Sequence, residues 1–355
     1  MNNTVVIGLG YVGLTYALHI ASLGYKVVGV EENPITRMKV KNGELPFFEK
    51  GLDIVLSDVL KRELFDIVSP EEFKLVSNHT RDKSFVFIIT VGTPVKNKAV
   101  QYHAIEKVFS FLSENMSQYD SLALRSTVSP GLTRKLCENL PIKIKYCFAP
   151  ERTIEGSALE ELSTLPQVYG ANDIESKLFF ESYFNEFHSE VISVSNSEAA
   201  ELVKLTSNVF RDVIFGFSNE IASIAFNYNV QSKEIIDACN YKYPRCNIPY
   251  SGPVAGPCLS KDSYILINDS GLNSIIINAR KLNENYVLSI LSKVLEDSHI
   301  ASACILGLAF KGTPPTSDVR DSLAISIATY LKERKIVVYG FDPIIFPSDF
   351  DLIGA

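Results

Sequence analysis

A glycine-rich turn near the start of the chain constrains the fold more than any other feature. Gly8, Gly10 and Gly13 follow a β-branched stretch at residues 4–8 and precede a helical pattern at Tyr16–Leu23. This spacing between a strand and a helix is typical of the βαβ unit that binds a dinucleotide, with the pyrophosphate at the helix N-terminus. The sequence therefore predicts an N-terminal Rossmann domain.

An acidic residue indicates which dinucleotide this domain binds. Glu31 ends the second predicted strand, Lys26–Val30, roughly 20 residues after the turn. A carboxylate at this point can accept hydrogen bonds from both ribose hydroxyls, and it repels a 2'-phosphate. We therefore expect NAD rather than NADP as the cofactor.

Further strands continue the alternating pattern. They are predicted at Phe85–Thr90, Ser121–Ser126 and Ile144–Phe148, with a helix at Tyr102–Glu114. Polar residues follow each strand, namely Thr93, Thr127 and Glu151. Because ligands of open parallel sheets bind at the carboxyl ends of the strands, these three side chains are predicted to lie near the cofactor.

Composition excludes several classes of protein. At 355 residues with 46% hydrophobic positions, the chain can form more than one core. Its net charge of -7 argues against a nucleic-acid-binding surface. No apolar run is long enough to span a membrane and no secretory signal is present, so a cytoplasmic protein without a membrane partner is expected. The six cysteines lack CxxC spacing and the five histidines lack HxxxH spacing, so we predict no metal site.

A long helix is predicted in the middle of the chain. Residues Glu198–Asn229 contain no proline and one glycine, Gly216, with apolar residues at helical spacing. The helix would be about 45 Å long, so it is expected to connect domains, and a second apolar stripe would suit a dimer interface. Lys204 and Asn208 share one face of it.

A cysteine lies in a turn bounded by glycine and proline. Cys258 follows Gly256-Pro257, and helices are predicted from Ser263 to about Leu295. Nearby lysines, Lys261 and Lys204, would favour a reactive thiolate, whereas the alternative is a buried structural cysteine. Asp262, four residues later, is a candidate helix N-cap before Tyr264.

The last part of the chain predicts a second strand-helix-strand unit. Its elements are Ala303–Leu308, Arg320–Glu333 and Ile336–Tyr339. This is about half of a doubly wound domain.

Six motifs, met in order, resemble the nucleotide-sugar 6-dehydrogenase family, which includes UDP-glucose, UDP-N-acetylhexosamine and GDP-mannose dehydrogenases. They are GLGYVGL from Gly8, Ser126-Thr127-Val128 with Gly131, APERTIEGSALEEL from Ala149, LVKLTSN ending at Asn208, GPCLSKD from Gly256, and Leu306–Ser322. The run Ala158–Leu162 followed by Leu165-Pro166-Gln167 is more similar to the UDP-N-acetylhexosamine branch than to the UDP-glucose branch.

The resemblance implies an α/β fold with three domains. They would be an NAD-binding Rossmann domain at 1–195, a central helical dimerisation domain at 196–298, and a shortened Rossmann-like domain for the nucleotide at 299–355. The family oxidises the C6 alcohol of a UDP-sugar or related nucleotide sugar to a carboxylate with two NAD and without release of the aldehyde. A homodimer through the long helix is implied.

The resemblance also implies roles for single residues. Cys258 would be the nucleophile, Thr127 and Asp262 would position water, Glu151 would be the general base, and Lys204 with Asn208 would stabilise charge on the C6 oxygen. The residues implied to bind the cofactor are Gly8, Gly10, Tyr11, Val12, Gly13, Glu31, Thr93, Thr127, Glu155, Lys261 and Arg320. The residues implied to bind substrate are Glu151, Lys204, Asn208, Tyr250, Gly252 and Lys311, with Arg245 reaching the substrate of a partner subunit.

Three alternatives stay open at this point. UDP-glucose is the alternative substrate. A single-step hydroxyacid dehydrogenase on a similar scaffold would leave Cys258 without a role. A truncated NAD-binding remnant would have no activity and would only associate with a partner.

Overall fold

The computed structural model describes residues 3–79, 84–96, 98–267, 274–296 and 300–345. The chain divides into two compact units, residues 1–204 and residues 205–355. The three-domain division with boundaries after residues 195 and 298 stays a prediction. In the described parts of the chain, no helix is both long and apolar enough to cross a bilayer.

The first unit is built on a mostly parallel sheet with helices. Its strands are β1 (Asn3–Ile7), β2 (Val27–Val30), β3 (Phe65–Val68), β4 (Phe85–Ile89), β5 (Val95–Lys96), β6 (Ala99–Val100), β7 (Ser121–Leu124), β8 (Lys145–Phe148), β9 (Gln167–Gly170) and β10 (Val191–Val194). Its helices are α1 (Tyr11–Ser22), α2 (Pro34–Lys41), α3 (Leu52–Lys61), α4 (Pro70–His79), α5 (His103–Asn115), α6 (Leu132–Glu138), α7 (Ala158–Thr164) and α8 (Ile174–Asn185).

The strand order places the cofactor turn at the centre of the sheet. Among the described residues, eight strands pair in the order β10-β9-β8-β7-β4-β1-β2-β3, and all pairs are parallel except β8 with β9. From β1 the chain first moves outward through β2 and β3, then returns to the other side at β4. The carboxyl ends of β1 and β4 therefore border the crevice in which such sheets bind ligands.

Both faces of this sheet are covered, as expected for parallel strands. Val6 packs in one core with Leu14 and Leu18 of α1. Its neighbour Val5 packs in the other core, with Phe109 and other residues of α5. Successive side chains of a strand point to opposite faces, so the unbroken apolar run of β1 serves two cores at once.

The predicted strands of this unit are confirmed to within two residues at each end. The predicted start of the first helix was wrong, because α1 begins at Tyr11 rather than at Tyr16. Gly10 takes the N-cap position, and its carbonyl accepts the N–H of Leu14 at 3.0 Å to close the first turn. Gly13 therefore lies inside the helix rather than before it.

The second unit contains most of the long helix and the remaining elements. They are α9 (Ser197–Asn227), α10 (Ser232–Asn240), α11 (Leu259–Ile267), α12 (Ile275–Glu296), β11 (Ser302–Leu306), α13 (Leu323–Glu333) and β12 (Val337–Phe341). The predicted long helix is confirmed by α9, which begins just before the boundary between the units. Residues 268–273, within the range predicted to be helical after Ser263, lie outside the described residues.

A buried polar network joins α9 to α12. The Asp212 carboxylate accepts hydrogen bonds from Arg280 at 2.9 Å and from Asn283 at 2.8 Å. One turn further along α9, a Cβ on Gly216 would lie 2.8 Å from the Cβ of Ala279, so only glycine permits this close crossing. The pair of helices is thus held by charge at one point and by close packing at the next.

The predicted strand-helix-strand unit near the end of the chain is confirmed. β11 and β12 pair in parallel, with Ala303 opposite Val338. Val338 packs with Ala328 and Leu331 of α13. The fold is of the α/β class, with a Rossmann sheet, a long central helix and a second strand-helix-strand unit. It therefore agrees with the sequence-based expectation.

A tight contact at Gly170 gives a test of the first unit. A Cβ at this position, where β9 ends, would lie 1.9 Å from the carbonyl oxygen of Asn196, the residue before α9. We expect Gly170→Ala to lower the free energy of unfolding by about 2–3 kcal/mol, in the range of overpacked interiors. Urea unfolding followed by circular dichroism measures the loss.

Gly92 provides the matched control, since a Cβ there would meet no atom within 4 Å. Gly92→Ala should change stability by less than about 0.5 kcal/mol. Equal urea midpoints for the two variants would contradict the prediction, because they would show that the start of α9 moves away from residue 170 without loss of stability.

Candidate functional site

The glycine turn after β1 has the shape that a dinucleotide requires. Gly8 has φ +89°, and a Cβ there would lie 2.8 Å from a methyl carbon of Val91. A Cβ on Gly13 would lie 1.9 Å from the Gly8 carbonyl oxygen and 2.4 Å from the Thr90 hydroxyl. A Cβ on Gly10 would meet nothing within 4 Å, so the open space lies at the N-terminus of α1. This is the place where a pyrophosphate can approach the main chain.

The Glu31 carboxylate lies beside this turn. Its two oxygens accept the main-chain N–H of Leu9 at 2.7 Å and of Asn33 at 2.8 Å. The carboxylate is thereby fixed where β2 ends, next to the turn. Tyr11, the first residue of α1, stacks on Phe47 with ring centroids 4.2 Å apart. These residues fit NAD, since a fixed anion here accepts from ribose hydroxyls and disfavours a 2'-phosphate.

The structure brings together two residues predicted from different loops. The hydroxyl of Thr93, after β4, donates to the carbonyl oxygen of Thr127, after β7, at 2.7 Å. The loop that carries Thr127 is held further along by Glu201 of α9, which accepts from the N–H of Gly131 at 2.6 Å and of Thr133 at 2.9 Å. Both ends of the Thr127 loop are therefore fixed within the first unit.

Glu151 is buried and fully engaged. Arg125 donates to one carboxylate oxygen at 2.7 Å, and the other oxygen accepts the N–H of Arg152 at 2.7 Å and of Thr153 at 2.8 Å. Burial would raise the pKa of this carboxyl, but the charge of Arg125 and these hydrogen bonds prevail and lower the pKa of Glu151 to about 2. Glu151 is therefore an anion at every pH near neutrality.

Glu151 also meets Lys204, and the family resemblance implied that both residues belong to one site. The ammonium of Lys204, on α9, donates to the main-chain carbonyl oxygen of Glu151. The contact is made by the main chain and not by the carboxylate. Asn208 follows Lys204 one turn later on the same helix.

A buried aromatic and imidazole cluster lies against Arg125. The guanidinium carbon is 4.0 Å from the ring centroid of Tyr16, whose hydroxyl is 3.4 Å from Nε2 of His188. Nδ1 of His188 lies 3.2 Å from the Leu162 carbonyl, so the neutral ring carries its proton on Nδ1. Burial, and then the charge of Arg125, lower the pKa of His188 to about 3. Burial also lowers the pKa of His19.

Sequence reasoning missed a carboxylate that holds the loop around Glu155. Glu49 is buried and accepts the N–H of Gly156 at 2.6 Å and of Ala158 at 2.8 Å, which caps α7. The Glu161 carboxylate accepts the N–H of Ile154 at 2.7 Å. The available signal was a charged residue directly after two phenylalanines, which is weak without knowledge of the fold.

In the second unit, the predicted turn delivers Cys258 to a helix N-terminus. α11 begins at Leu259, and the Cys258 carbonyl oxygen accepts the N–H of Asp262 at 2.9 Å. Gly256 has φ +102°, and a Cβ there would lie 2.5 Å from the Phe310 ring, so this turn needs glycine. Cys258 is exposed, which excludes a buried structural role. The positive end of a helix favours a thiolate.

Asp262 lies in the first turn of α11, so the prediction that it caps a helix before Tyr264 was wrong. Its buried carboxylate accepts the side-chain N–H of Asn208 at 2.6 Å, which joins two residues that the sequence assigned to one site. Arg280 and Asp212 were missed. Arg280 donates both to Asp212 and to the Leu259 carbonyl oxygen at 2.9 Å, and this fixes the start of α11.

The cationic residues predicted in the last part of the chain have defined neighbours. Arg320 makes a two-point hydrogen bond with the buried carboxylate of Asp318, at 2.9 Å and 2.6 Å. The Lys311 ammonium is 5.4 Å from the ring centroid of Phe310. Lys261 lies in the first turn of α11.

The loop before Cys258 carries exposed aromatic residues. Arg245 lies over the ring of Tyr243, 4.3 Å from its centroid. The Tyr250 hydroxyl donates to the Asp237 carboxylate at 2.5 Å. The main chain of Gly252 is bound through its N–H at 2.8 Å and its carbonyl at 3.0 Å by Asn219, so this part of the loop is anchored to α9.

The buried histidines generate a prediction about stability and pH. The unfolded chain binds a proton at each histidine below a pH of about 6.5, while folded His188 resists protonation down to about 3. The free energy of unfolding should therefore fall as pH decreases through this window, by up to about 1.4 kcal/mol per pH unit for each such histidine. Urea midpoints measured at several pH values test this.

His188→Gln should flatten this dependence. The exposed His103, on α5, is the matched control, and His103→Gln should leave the slope unchanged. A slope that persists in full in the His188 variant would contradict the assignment.

Comparison with known proteins supports one family over both units. Residues 2–188 match the NAD binding domain of the UDP-glucose/GDP-mannose dehydrogenase family, and residues 198–285 match its central domain. A UDP-N-acetyl-D-mannosamine dehydrogenase of Pyrococcus horikoshii is 32% identical, over 95% of this chain and 82% of the relative. One of Methanococcus maripaludis is 31% identical, over 95% and 79%.

Solved structures agree. The UDP-D-ManNAc dehydrogenase of Pyrococcus horikoshii superposes with a TM-score of 0.86 at 29% identity, covering 97% of this chain and 84% of that chain. A UDP-glucose dehydrogenase of Pyrobaculum islandicum gives 0.87 at 28% identity, covering 100% and 84%. The chain therefore belongs to the UDP-glucose/GDP-mannose dehydrogenase family, and it is an NAD-dependent nucleotide-sugar dehydrogenase.

Proposed function

We propose that this chain oxidises the C6 hydroxyl of a UDP-N-acetylhexosamine, such as UDP-N-acetylmannosamine, to the uronate through a thioester on Cys258. The observation that carries the proposal is an exposed thiol at the N-terminus of α11, with a buried carboxylate, Asp262, one turn later. An enzyme that only interconverts alcohol and carbonyl needs no nucleophile at such a position, whereas oxidation to an acid gains from one.

The cofactor would be held mainly by the glycine turn and Glu31. Gly10, with Tyr11 and Val12, opens α1 toward the pyrophosphate, Gly8 and Gly13 permit the turn, and Glu31 accepts from the ribose. Residues proposed to complete the site are Thr93, Thr127, Glu155, Lys261 and Arg320. Bound NAD supplies a hydride acceptor, and two per sugar take up the four electrons.

Lys204 and Asn208 act on the first oxidation in this proposal. The C6 alcohol loses a proton from oxygen and a hydride from carbon, which gives the aldehyde. A cation and an amide donor next to the C6 oxygen stabilise its developing negative charge. The hydrogen bond from Lys204 to the Glu151 carbonyl restrains the ammonium, and the bond from Asn208 to Asp262 restrains the amide.

Cys258 acts on the second oxidation. Its thiolate adds to the aldehyde carbon, and loss of a second hydride converts the thiohemiacetal to a thioester. Water, oriented by Thr127 and Asp262, then attacks the thioester carbon; the carbon–sulfur bond breaks, the thiolate returns, and two protons leave as the carboxylate forms. Glu151, with a pKa of about 2, is a weak proton acceptor, so we assign it the role of a fixed anion that supports Lys204.

The nucleotide and a second subunit complete the proposal. Lys311, Tyr250 and Gly252 are assigned to the substrate, and Arg245 to the substrate of a partner subunit. A homodimer is supported by exposed side chains at seven-residue spacing on α9, namely Phe210, Phe217 and Ile224. Cytoplasmic localisation stays a prediction.

UDP-glucose is the second candidate substrate, because the Pyrobaculum UDP-glucose dehydrogenase superposes as well as the Pyrococcus protein does. The branch assignment is supported by relatives named for UDP-N-acetyl-D-mannosamine. A panel of UDP-N-acetylmannosamine, UDP-N-acetylglucosamine, UDP-glucose and GDP-mannose with NAD separates the candidates by kcat/KM.

Counting NADH per sugar tests the reaction class. We expect two NADH and one uronate for each UDP-N-acetylhexosamine consumed. One NADH per sugar would support a single-step dehydrogenase, and no NADH with any of the four nucleotides would indicate an inactive protein.

Removal of the thiol tests the mechanism. Cys258→Ala should lower uronate formation by at least about 10³-fold, as expected when a nucleophile is lost, with NAD affinity retained. Cys239→Ala is the matched control, because Cys239 is also an exposed cysteine of the second unit, and it should keep full activity. Undiminished uronate yield from Cys258→Ala would remove the thioester from the mechanism.

A further inference from the structure

Arg125 is a buried cation at the carboxyl edge of the sheet, and it has no role in the reaction as written above. It follows β7 directly and precedes Ser126-Thr127. Its side chain is 1% exposed, and that of its ion-pair partner Glu151 is 10% exposed. One guanidinium nitrogen donates to Glu151 and another to the side-chain oxygen of Gln167 at 2.8 Å. Burying a charge costs free energy unless an opposite charge lies beside it, so Arg125 and Glu151 depend on each other at this edge of the sheet.

The contacts of Glu151 extend the influence of Arg125. The carboxylate that Arg125 holds also accepts the N–H of Arg152 and of Thr153, which fixes the turn of the main chain at this point. The carbonyl of the same residue receives the Lys204 ammonium. A continuous set of hydrogen bonds therefore runs from Arg125 through the Glu151 main chain to Lys204.

The other titratable groups around this pair are Tyr16 and His19 of α1, Cys147 of β8, Tyr183 of α8, His188 after α8, and Lys204 of α9. Burial raises the pKa of Tyr16 to about 12 and raises the pKa values of Cys147 and Tyr183 well above their usual values. Burial lowers the pKa of both histidines. Those five groups are therefore neutral near pH 7, and Arg125 is the cation in hydrogen-bond contact with the carboxylate.

We propose that Arg125 is a positioning residue for the oxidation: by holding the Glu151 carboxylate, it keeps the Glu151 carbonyl where it restrains the Lys204 ammonium. The inference rests on the proposed function, in which Lys204 stabilises charge on the C6 oxygen. Without the guanidinium, Glu151 is a buried carboxyl with no cation in hydrogen-bond contact, and such groups take up a proton. A neutral Glu151 side chain changes its hydrogen-bond partners, and the main-chain carbonyl of Glu151 then no longer holds the Lys204 ammonium.

The test compares Arg125→Met, which removes the charge at similar volume, with Arg125→Lys, which keeps it. We measure kcat and KM from about pH 5.5 to about pH 9 with UDP-N-acetylmannosamine and NAD. In Arg125→Met we expect kcat to fall about 10- to 100-fold at the acid end, as for a slightly misplaced catalytic group, and to recover as pH rises and Glu151 ionises. KM for NAD should stay unchanged. Arg125→Lys should lose less activity and show no new acid limb.

The double variant Arg125→Met/Glu151→Gln assigns the limb. It contains no carboxyl at residue 151, so its kcat should be low but should follow the pH dependence of the wild type. An additional acid limb that persists in it would belong to another group, such as His188, and would overturn the proposal. The double variant also replaces both partners of a buried pair, so it is expected to fold where Arg125→Met does not. Arg62→Met is the matched control, since Arg62 forms an exposed ion pair in the same unit, and its profile should equal that of the wild type.

The outcomes distinguish a failure of the Arg125 positioning role from a failure of the proposed function. An active wild type whose Arg125→Met variant loses the same fraction of kcat at every pH, or none, would overturn the positioning role alone, because a merely structural contribution does not follow the ionisation of Glu151. A wild type that forms no NADH with any of the nucleotides would overturn the proposed function and the role of Arg125 in it.

Discussion

Carboxylates that accept main-chain N–H groups hold the loops on which the chemistry of the first unit depends. Loops that follow parallel strands leave several N–H groups without partners in the sheet, and a buried N–H without a partner is costly. Four glutamates each accept two of them: Glu31 from residues 9 and 33, Glu49 from 156 and 158, Glu151 from 152 and 153, and Glu201 from 131 and 133. The segments fixed in this way carry the glycine turn, Thr127 and Glu155. Charge-assisted bonds of this kind are short and directional, so they define loop geometry more sharply than apolar packing does.

In the second unit a buried side chain again holds the main chain, but here the side chain is a cation that binds a carbonyl oxygen. Arg280 is buried with Asp212, and its guanidinium donates to the Leu259 carbonyl oxygen at the start of α11. In the first unit Arg125 holds the carboxylate of Glu151, which binds the main chain. In the second unit Asp212 holds Arg280, which binds the main chain. In both, an ion pair made by residues distant in sequence fixes the main chain beside a residue assigned to the reaction. Such a pair adds little net stability, since desolvation offsets most of its attraction, but its loss leaves a single charge buried. Its value lies in a defined geometry.

The sequence predicted what depends on local pattern and missed what depends on long-range contact. The strands, the glycine turn and the long helix follow from periodicity and from residues with restricted geometry, and these predictions are confirmed. Helix starts were predicted less well, and α1 and α11 begin earlier than expected. The reason is that apolar periodicity does not reveal a first turn that contains or follows glycine or cysteine. Arg125, Glu49 and Arg280 could not be found, since each acts on main-chain groups far away in the chain. Their only local signal is a charge next to an apolar run, which is equally typical of a strand end facing solvent.

The burial of the first unit's ionisable groups has a consequence for where pH sensitivity can arise. Glu151 and His188 have pKa values of about 2 and 3, and Tyr16 has one of about 12, so none of them changes charge between mild acid and mild base. These three side chains therefore keep one charge state each between mild acid and mild base. Their contribution to the geometry of the loops that follow the strands is therefore the same throughout that range.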